Sequence, residues 1–437
     1  MKRFRTPLII LGSCLVLAIL GLAGISGFIR SVAFRHWMDR RVSHSLRADG
    51  QFEPLQWEGA TFRSAGFSAQ GSAKSKLTSL HASEITARLG WPQILARALV
   101  IDELTLGKLD IGLGRNPAPV NAPVPPKSPL RLPSLNIGLL INKIQVEQGG
   151  LHWRSTHAGP GDLLGTTVVA SRKGPDSWQF TATGGSARQA NYPAIIIDST
   201  SGRLSDQALT IDQAKLRSEA GGEIAVQGAI NLRDQLMAKL HTDFSGISLG
   251  PVLPKDWNLA GTADGKLDYT GSLDRIEEGG LTGFIQIAHA KFDPSTVFAK
   301  LRTLIEAIGW ADVSLDSVSA NIRYHDRQMD FIDLVARYQD QVRIEGRGTI
   351  AAGQIDANLL FGLSPRIVSL IPGATDKVFT EERDGLRWAP MKISGPVRQP
   401  KEDLSKRLMK AIQEKMTEDF RGNLKDATKS LLDMLRH

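Results

Sequence analysis

The chain has 437 residues, 42% of them hydrophobic and 22% charged, with 42 glycines and 21 prolines. That length exceeds one ordinary core and points to about two or three domains or to a repeating sheet. The net charge of +8 allows contact with acidic head groups, but the aromatic residues do not interleave with basic runs, which excludes a nucleic-acid stripe.

The first element is the uncharged stretch from Leu8 to Ile29, with Leu11, Leu15 and Leu20 inside it. At ~1.5 Å per helical residue it covers about 33 Å, enough for the hydrocarbon core of a bilayer. A backbone in lipid must bond to itself, and a helix does so alone. Lys2, Arg3 and Arg5 precede it and favour a cytoplasmic amino terminus, whereas Arg30, Arg35, Arg40 and Arg41 on the far side weigh against that. A cleaved signal peptide is the other reading, but its apolar core is usually only ~7–15 residues. The expectation is an uncleaved single-pass anchor with the bulk of the chain exported. The single cysteine, Cys14, lies inside this stretch, so the exported portion has neither disulfide nor thiol chemistry.

Residues 1–48 form the anchor and a juxtamembrane segment. Within 30–48, Val32, His36 and Leu46 share the stretch with several arginines. It extends the membrane helix, lies at the interface with Trp37 at head-group depth, or is a plain connector. Residues 49–115 begin the sheet. Trp91–Leu99 predicts two helical turns with Pro92 in the first. Val100–Leu106 then reads as a strand, Gly107-Lys108 as a turn and Leu109–Leu113 as the returning strand. Residues 116–133 hold Pro117, Pro119, Pro123, Pro125, Pro126, Pro129 and Pro133, a composition that cannot run through a sheet centre. This loop or spacer is the best candidate boundary.

From 134 to 400 period-2 segments dominate. Ile224, Val226, Gly228, Ile230 and Leu232 fall in one phase, with Glu223, Gln227 and Asn231 in the other. Leu281, Gly283, Ile285 and Ile287 repeat the pattern, and Val318, Ala320, Ile322 and Tyr324 do so again. Val342, Ile344, Gly346, Gly348 and Ile350 return through Ala352-Gly353-Gln354 as Ile355, Ala357, Leu359, Phe361 and Leu363. Such alternation puts the large apolar groups on one face of the sheet. One helix interrupts, from Asp293 to Gly309, with a stripe through Val297, Leu301, Leu304, Ile305 and Ile308 that would cover some of the sheet. A short helix is expected at Pro365–Leu370, a last strand at Met391–Ser394, and no pattern places 155–220. Residues 401–437 read as one long amphipathic helix, with a break near Gly422, through Leu404, Leu408, Ile412, Met416, Phe420, Leu424, Leu431 and Leu435. Its charges nearly balance, which favours docking on the sheet end or on a partner over lipid contact.

Chemistry is sparse. The nine histidines are scattered, without metal-ligand spacing, and there is no nucleophile elbow or phosphate loop. Gly346-Arg347-Gly348 sits inside an alternating strand rather than at a strand–helix turn. Asp102-Glu103 and Glu381-Glu382 read as solvated charges. No catalytic residue, cofactor or metal is expected, and the chain reads as a non-enzyme. What remains is an apolar face that includes Ile224, Val226, Ile230, Ile285, Ile287, Val342, Ile344, Ile350, Leu359 and Phe361. It lines either an open groove suited to acyl chains or the filled interior of packed sheets.

The order of an N-terminal anchor, WPQILARALVIDELTLGKLDIGL, INKIQVEQGGLHW, VRIEGRGTIAAGQIDANLLFGLSP and the closing ISGPVRQPKEDL resembles the AsmA-like family of envelope proteins. The likeness covers most of the exported chain and is strongest at 91–113 and 318–400. It implies a mainly β fold: a transmembrane helix, then an elongated, curved, largely antiparallel β-sheet groove with a few covering helices and the C-terminal amphipathic helix. It also implies an inner-membrane protein with its bulk in the periplasm, phospholipids as partners and a role in outer-membrane biogenesis. The family brings no catalytic residues. The alternative is a non-enzymatic assembly scaffold that holds envelope proteins through its edges and its C-terminal helix.

Overall fold

The computed structural model describes residues 31–46, 48–71, 75, 77–90, 98–114, 138–155, 159–205, 207–232, 236–253, 260–273, 275–291 and 314–434. These are mainly β, with 23 strands and four α-helices among the described residues. The chain divides after residue 206 into two compact units.

The first unit opens with helix α1 (Val32–Leu46). It continues with β1 (Ala48–Phe52), β2 (Leu55–Glu58), β3 (Thr61–Gly71), β4 (Leu77–Leu89) and β5 (Ala98–Leu113). After them come β6 (Gly138–Ile141), β7 (Lys143–Ser155), β8 (Gly159–Gly174), β9 (Ser177–Thr183), β10 (Ser186–Gln189) and β11 (Ile195–Ser205). Strands β1 and β2 pair with β3, β3 with β4 and β4 with β5, all antiparallel. Strand β5 then pairs in parallel with β6 and β7. A parallel neighbour requires a crossover. The connection between β5 and β6 contains the proline-rich 116–133, which lies outside the described residues. The strands on its two sides pair with each other, and both belong to the first unit. Antiparallel pairing resumes from β7 through β8 to β9, β10 and β11.

The turn expected at Gly107-Lys108 does not form, and residues 98–113 are one strand. Glu84 of β4 has φ 55°, and its Oε2 would stand 2.4 Å from a Cβ at position 107. Glycine there makes room for the neighbouring strand rather than reversing the chain. The helix expected over 91–99 falls on 91–97, outside the described residues, and Ala98 and Leu99 already belong to β5.

Helix α1 lies on this sheet. Phe34 and Met38, one turn apart, are buried against Phe62, Ala87, Leu89 and Ile101. Val42 and Leu46 continue the stripe onto Phe67, Ile85 and Leu106. Polar bonds fix its angle: Asp39 Oδ1 accepts from the Phe52 amide at 2.8 Å, and Ser43 Oγ from the Gly50 amide at 3.0 Å. Val32 and His36, singled out in the sequence, face solvent.

The second unit contains β12 (Ala208–Ser218), β13 (Glu223–Asn231), β14 (Met237–Ser248), β15 (Ala260–Ser272), β16 (Gly280–Lys291) and β17 (Ser314–His325). Next are β18 (Gln328–Tyr338), β19 (Val342–Ala351) and β20 (Gln354–Leu363), then helices α2 (Pro365–Ser369) and α3 (Ala374–Lys377). It ends with β21 (Glu381–Arg383), β22 (Leu386–Pro396), β23 (Lys401–Glu402) and α4 (Leu404–Met434). Each strand from β12 to β20 pairs antiparallel with the next. Strand β20 pairs with β22, which β21 and β23 flank. The helix expected at Asp293–Gly309 lies outside the described residues. The expected last strand grows to the whole of β22, and α4 runs through Gly422 without a break. The unplaced stretch 155–220 supplies β8 to β12.

Candidate functional site

One apolar face carries across the second unit by register. Val226 stands opposite Thr242, then come Leu267, Gly283, Ile322, Phe331, Gly348, Ala357 and Ile393, each the cross-strand partner of the one before. A neighbouring row passes from Ile224 to Phe244, Gly265, Ile285 and Ala320. Along β13 the alternation is strict, with Ile224, Val226, Gly228 and Ile230 half-buried and the residues between them exposed. Space is shared between neighbours. A Cβ at position 265 would lie 2.7 Å from Phe244 Cζ, so the Phe244 ring spreads over the glycine of the next strand.

The same face has two fates. From β13 to β18 most of its large residues stay half-buried, and among the described residues only Phe331, Leu334 and Tyr338 of β18 pack against the helix-covered cluster. At one end of the strands it closes into a small cluster of Ala290, Leu315 and Ala336 with Ile287 and Val318. From β19 to β22 it disappears under helices. Val342, Ala357, Leu359 and Phe361 are buried with Val368 of α2, Ala374 of α3, Phe379, Met391, and Leu404, Leu408 and Ala411 of α4.

Of the sequence-predicted lining residues, Ile224, Val226, Ile230, Ile285 and Ile287 lie on the half-buried stretch. Ile344 and Ile350 are half-buried at its border. Val342, Leu359 and Phe361, at 2%, 8% and 3% exposed, belong to the helix-covered core and cannot line an open surface. Parity placed them correctly; only the helices packed above them separate the two groups. The anchor residues Leu8, Leu11, Leu15, Leu20 and Ile29 lie outside the described residues. Among the described residues no helix is long and apolar enough to cross a membrane.

The half-buried face also has a rim, built by tyrosines in the same alternating phase. Tyr269 and Tyr324 join it from β15 and β17. Their hydroxyls donate to the carbonyls of Ser272 at 2.8 Å and Glu277 at 3.2 Å, which ties the edge to a 3-10 turn at Ile276–Glu278. Burial pushes the Tyr269 hydroxyl pKa up.

The opposite face is polar. His241 bonds Asp268 at 2.8 Å through Nδ1 and approaches Asp243 at 3.3 Å through Nε2, and Lys266 reaches Asp243 at 3.0 Å. The hydrogen bond with Asp268 holds the imidazole pKa above its ordinary value, and the Lys266 bond holds the Asp243 carboxyl below its own. Gln328 and Thr349 each donate to Asp330 at 2.8 Å and lower its pKa. His241–Asp268, Lys266–Asp243 and Thr349–Asp330 are cross-strand pairs, while His241–Asp243 and Gln328–Asp330 lie two residues apart on one strand. In the first unit Asp102-Glu103 behaves likewise: Glu103 bonds Lys143 at 2.7 Å, and Asp102 accepts from Asn142 at 3.2 Å. Among the described residues no group of three or more His, Cys, Asp or Glu could hold a metal.

The arrangement offers an apolar floor several strands wide, backed by a charged outer face and closed at one side by a helical plug. No family model matches the chain, and searches of curated proteins and of solved structures return no match.

Proposed function

We propose that this chain is a non-enzymatic, inner-membrane-tethered periplasmic protein that binds or conducts phospholipid along the apolar face of β13–β18, in support of outer-membrane biogenesis. The observation that carries the reading is that one apolar phase persists through six paired strands while its side chains stay half-exposed. Soluble surfaces seldom keep large contiguous apolar patches unless something binds there. Acyl chains would lie on Ile224, Val226, Leu267, Ile285 and Ile322, with head groups left in water. A methylene withdrawn fully from water contributes about 0.8 kcal/mol, and half that when covered on one side only. The floor is read as a section of a curved groove, and Leu8–Ile29 as its tether. The likeness to AsmA-like proteins supports both.

The test is the lipid content of the full chain purified in mild detergent, measured by mass spectrometry of extracted lipid. Phospholipid above background is expected. Ile285→Asp with Ile322→Asp should lower it several-fold while the circular dichroism spectrum stays that of a folded sheet. A wild-type chain with no lipid above background overturns the proposal and leaves the assembly-scaffold reading.

A further inference from the structure

We propose that the C-terminal helix α4 carries a second, outward apolar stripe that docks on the surface of an anionic bilayer. Leu404, Leu408 and Ala411 seat the first turns of α4 on the sheet and are 1%, 3% and 2% exposed. On a different face Met409, Met416 and Phe420 are 53%, 64% and 68% exposed. At about 100° per residue these three and Gln413 share one sector about 60° wide, roughly 140° from the docked stripe. Spacings of four and three residues link them, and the sequence continues that spacing at Leu424 and Leu431.

Charge selects the occupant. Glu414 and Glu418 are held by Lys377 of α3 at 3.1 and 2.9 Å, and Asp419 by Lys415 at 3.5 Å. Lys410 lies 3.8 Å from Glu414, which it shares with Lys377. Lys377, Lys406, Lys410, Lys415 and Arg421 thus stand against Glu414, Glu418 and Asp419, an excess of two positive charges, and Lys406, Lys410 and Arg421 lie along one solvent edge of the apolar stripe. A narrow Met and Phe stripe bordered by long basic side chains suits the boundary between acyl chains and phosphate groups. The rings and thioethers enter the apolar layer, and the ammonium and guanidinium groups stay at phosphate depth. This inference does not rest on lipid lying in the sheet.

The test uses the full chain held in phosphatidylcholine nanodiscs, with an environment-sensitive fluorophore on Thr417→Cys in a Cys14→Ser background. Vesicles of phosphatidylethanolamine and phosphatidylglycerol are added, and vesicles of phosphatidylcholine alone serve as the comparison. A blue shift on the anionic vesicles only is expected. Lys406→Gln, Lys410→Gln and Arg421→Gln together should weaken binding on the order of 100-fold, about fivefold per charge. Met416→Ser with Phe420→Ser should abolish the shift without moving the melting temperature, since neither side chain touches the core. The sheet variants Ile285→Asp and Ile322→Asp should leave the shift intact, so this proposal and the lipid-binding one fail separately. No shift on anionic vesicles, an equal shift on phosphatidylcholine, or lipid-independent crosslinking between copies at position 417 each overturns it. The last outcome would assign the stripe to a second copy or another protein.

Discussion

The half-buried face at β13–β18 and the helix-covered face at β19–β22 are built from one alternating pattern, yet they differ in what lies on them among the described residues. Ile322 and Phe331 are half-buried, while Ala357 and Ile393, farther along the same cross-strand row, are buried. The difference comes from α2, α3 and the first turns of α4, which fold back over the last strands. Alternation therefore determines which residues share a face. What lies on that face is decided by a third element, and only that decision separates a buried core from a half-exposed face.

Equal truncations on the two sides should break the symmetry most clearly. Phe379 is fully buried under the plug beside Phe361, with ring centroids 6.3 Å apart. Phe379→Ala should cost about 3–5 kcal/mol in denaturant unfolding. Ile285→Ala, on the open side, should cost about 1 kcal/mol or less, because its side chain is already half in water. Comparable losses would mean that the open face is covered in solution. A subtler change sharpens the contrast. Gly373 has φ 72°, and a Cβ there would lie 2.7 Å from the Ala411 carbonyl oxygen of α4. Gly373→Ala should therefore lever the helix off the sheet, at about 1–3 kcal/mol. It should also raise binding of an apolar dye, measured by fluorescence, as the plugged end comes to resemble the open one.

The smallest effect is on the charged side of the open strands. The folded pKa of His241 is raised, chiefly by its bond to Asp268. Its contribution is fully present below the ordinary imidazole value of about 6.5 and is lost as pH rises through the folded value. A slight fall in melting temperature on going from about pH 6 towards pH 8 is expected, and His241→Gln should flatten it. The same slope in the variant would place the titrating group elsewhere.

Much of this was legible in the residues. The strict alternation at 223–231 and the hairpin from Val342 to Leu363 read directly as strands, since a period of two admits little else. The short helix at Pro365 and the docked half of the C-terminal helix were equally readable. Three things were not. The parallel join of β5 to β7 depends on a long connection, which carries no local signal. The Gly107 turn was misread because glycine marks close approach as readily as reversal. The assignment of Val342, Leu359 and Phe361 to the open face failed because parity cannot report what packs above. Likewise, Phe34 and Met38 showed their role only once the sheet beneath α1 was in place.

The join between β5 and β7 also bears on synthesis and integrity. Hairpin partners meet as soon as they leave the ribosome, but β5 waits for residues beyond the proline-rich stretch before its free edge is satisfied. Until then a row of unpaired amides and carbonyls stays open to any passing strand, the condition under which sheets mis-associate. Once closed, the seam holds Leu104–Leu113 against Ile144–Trp153 by backbone bonds, with no need of the covalent link between them.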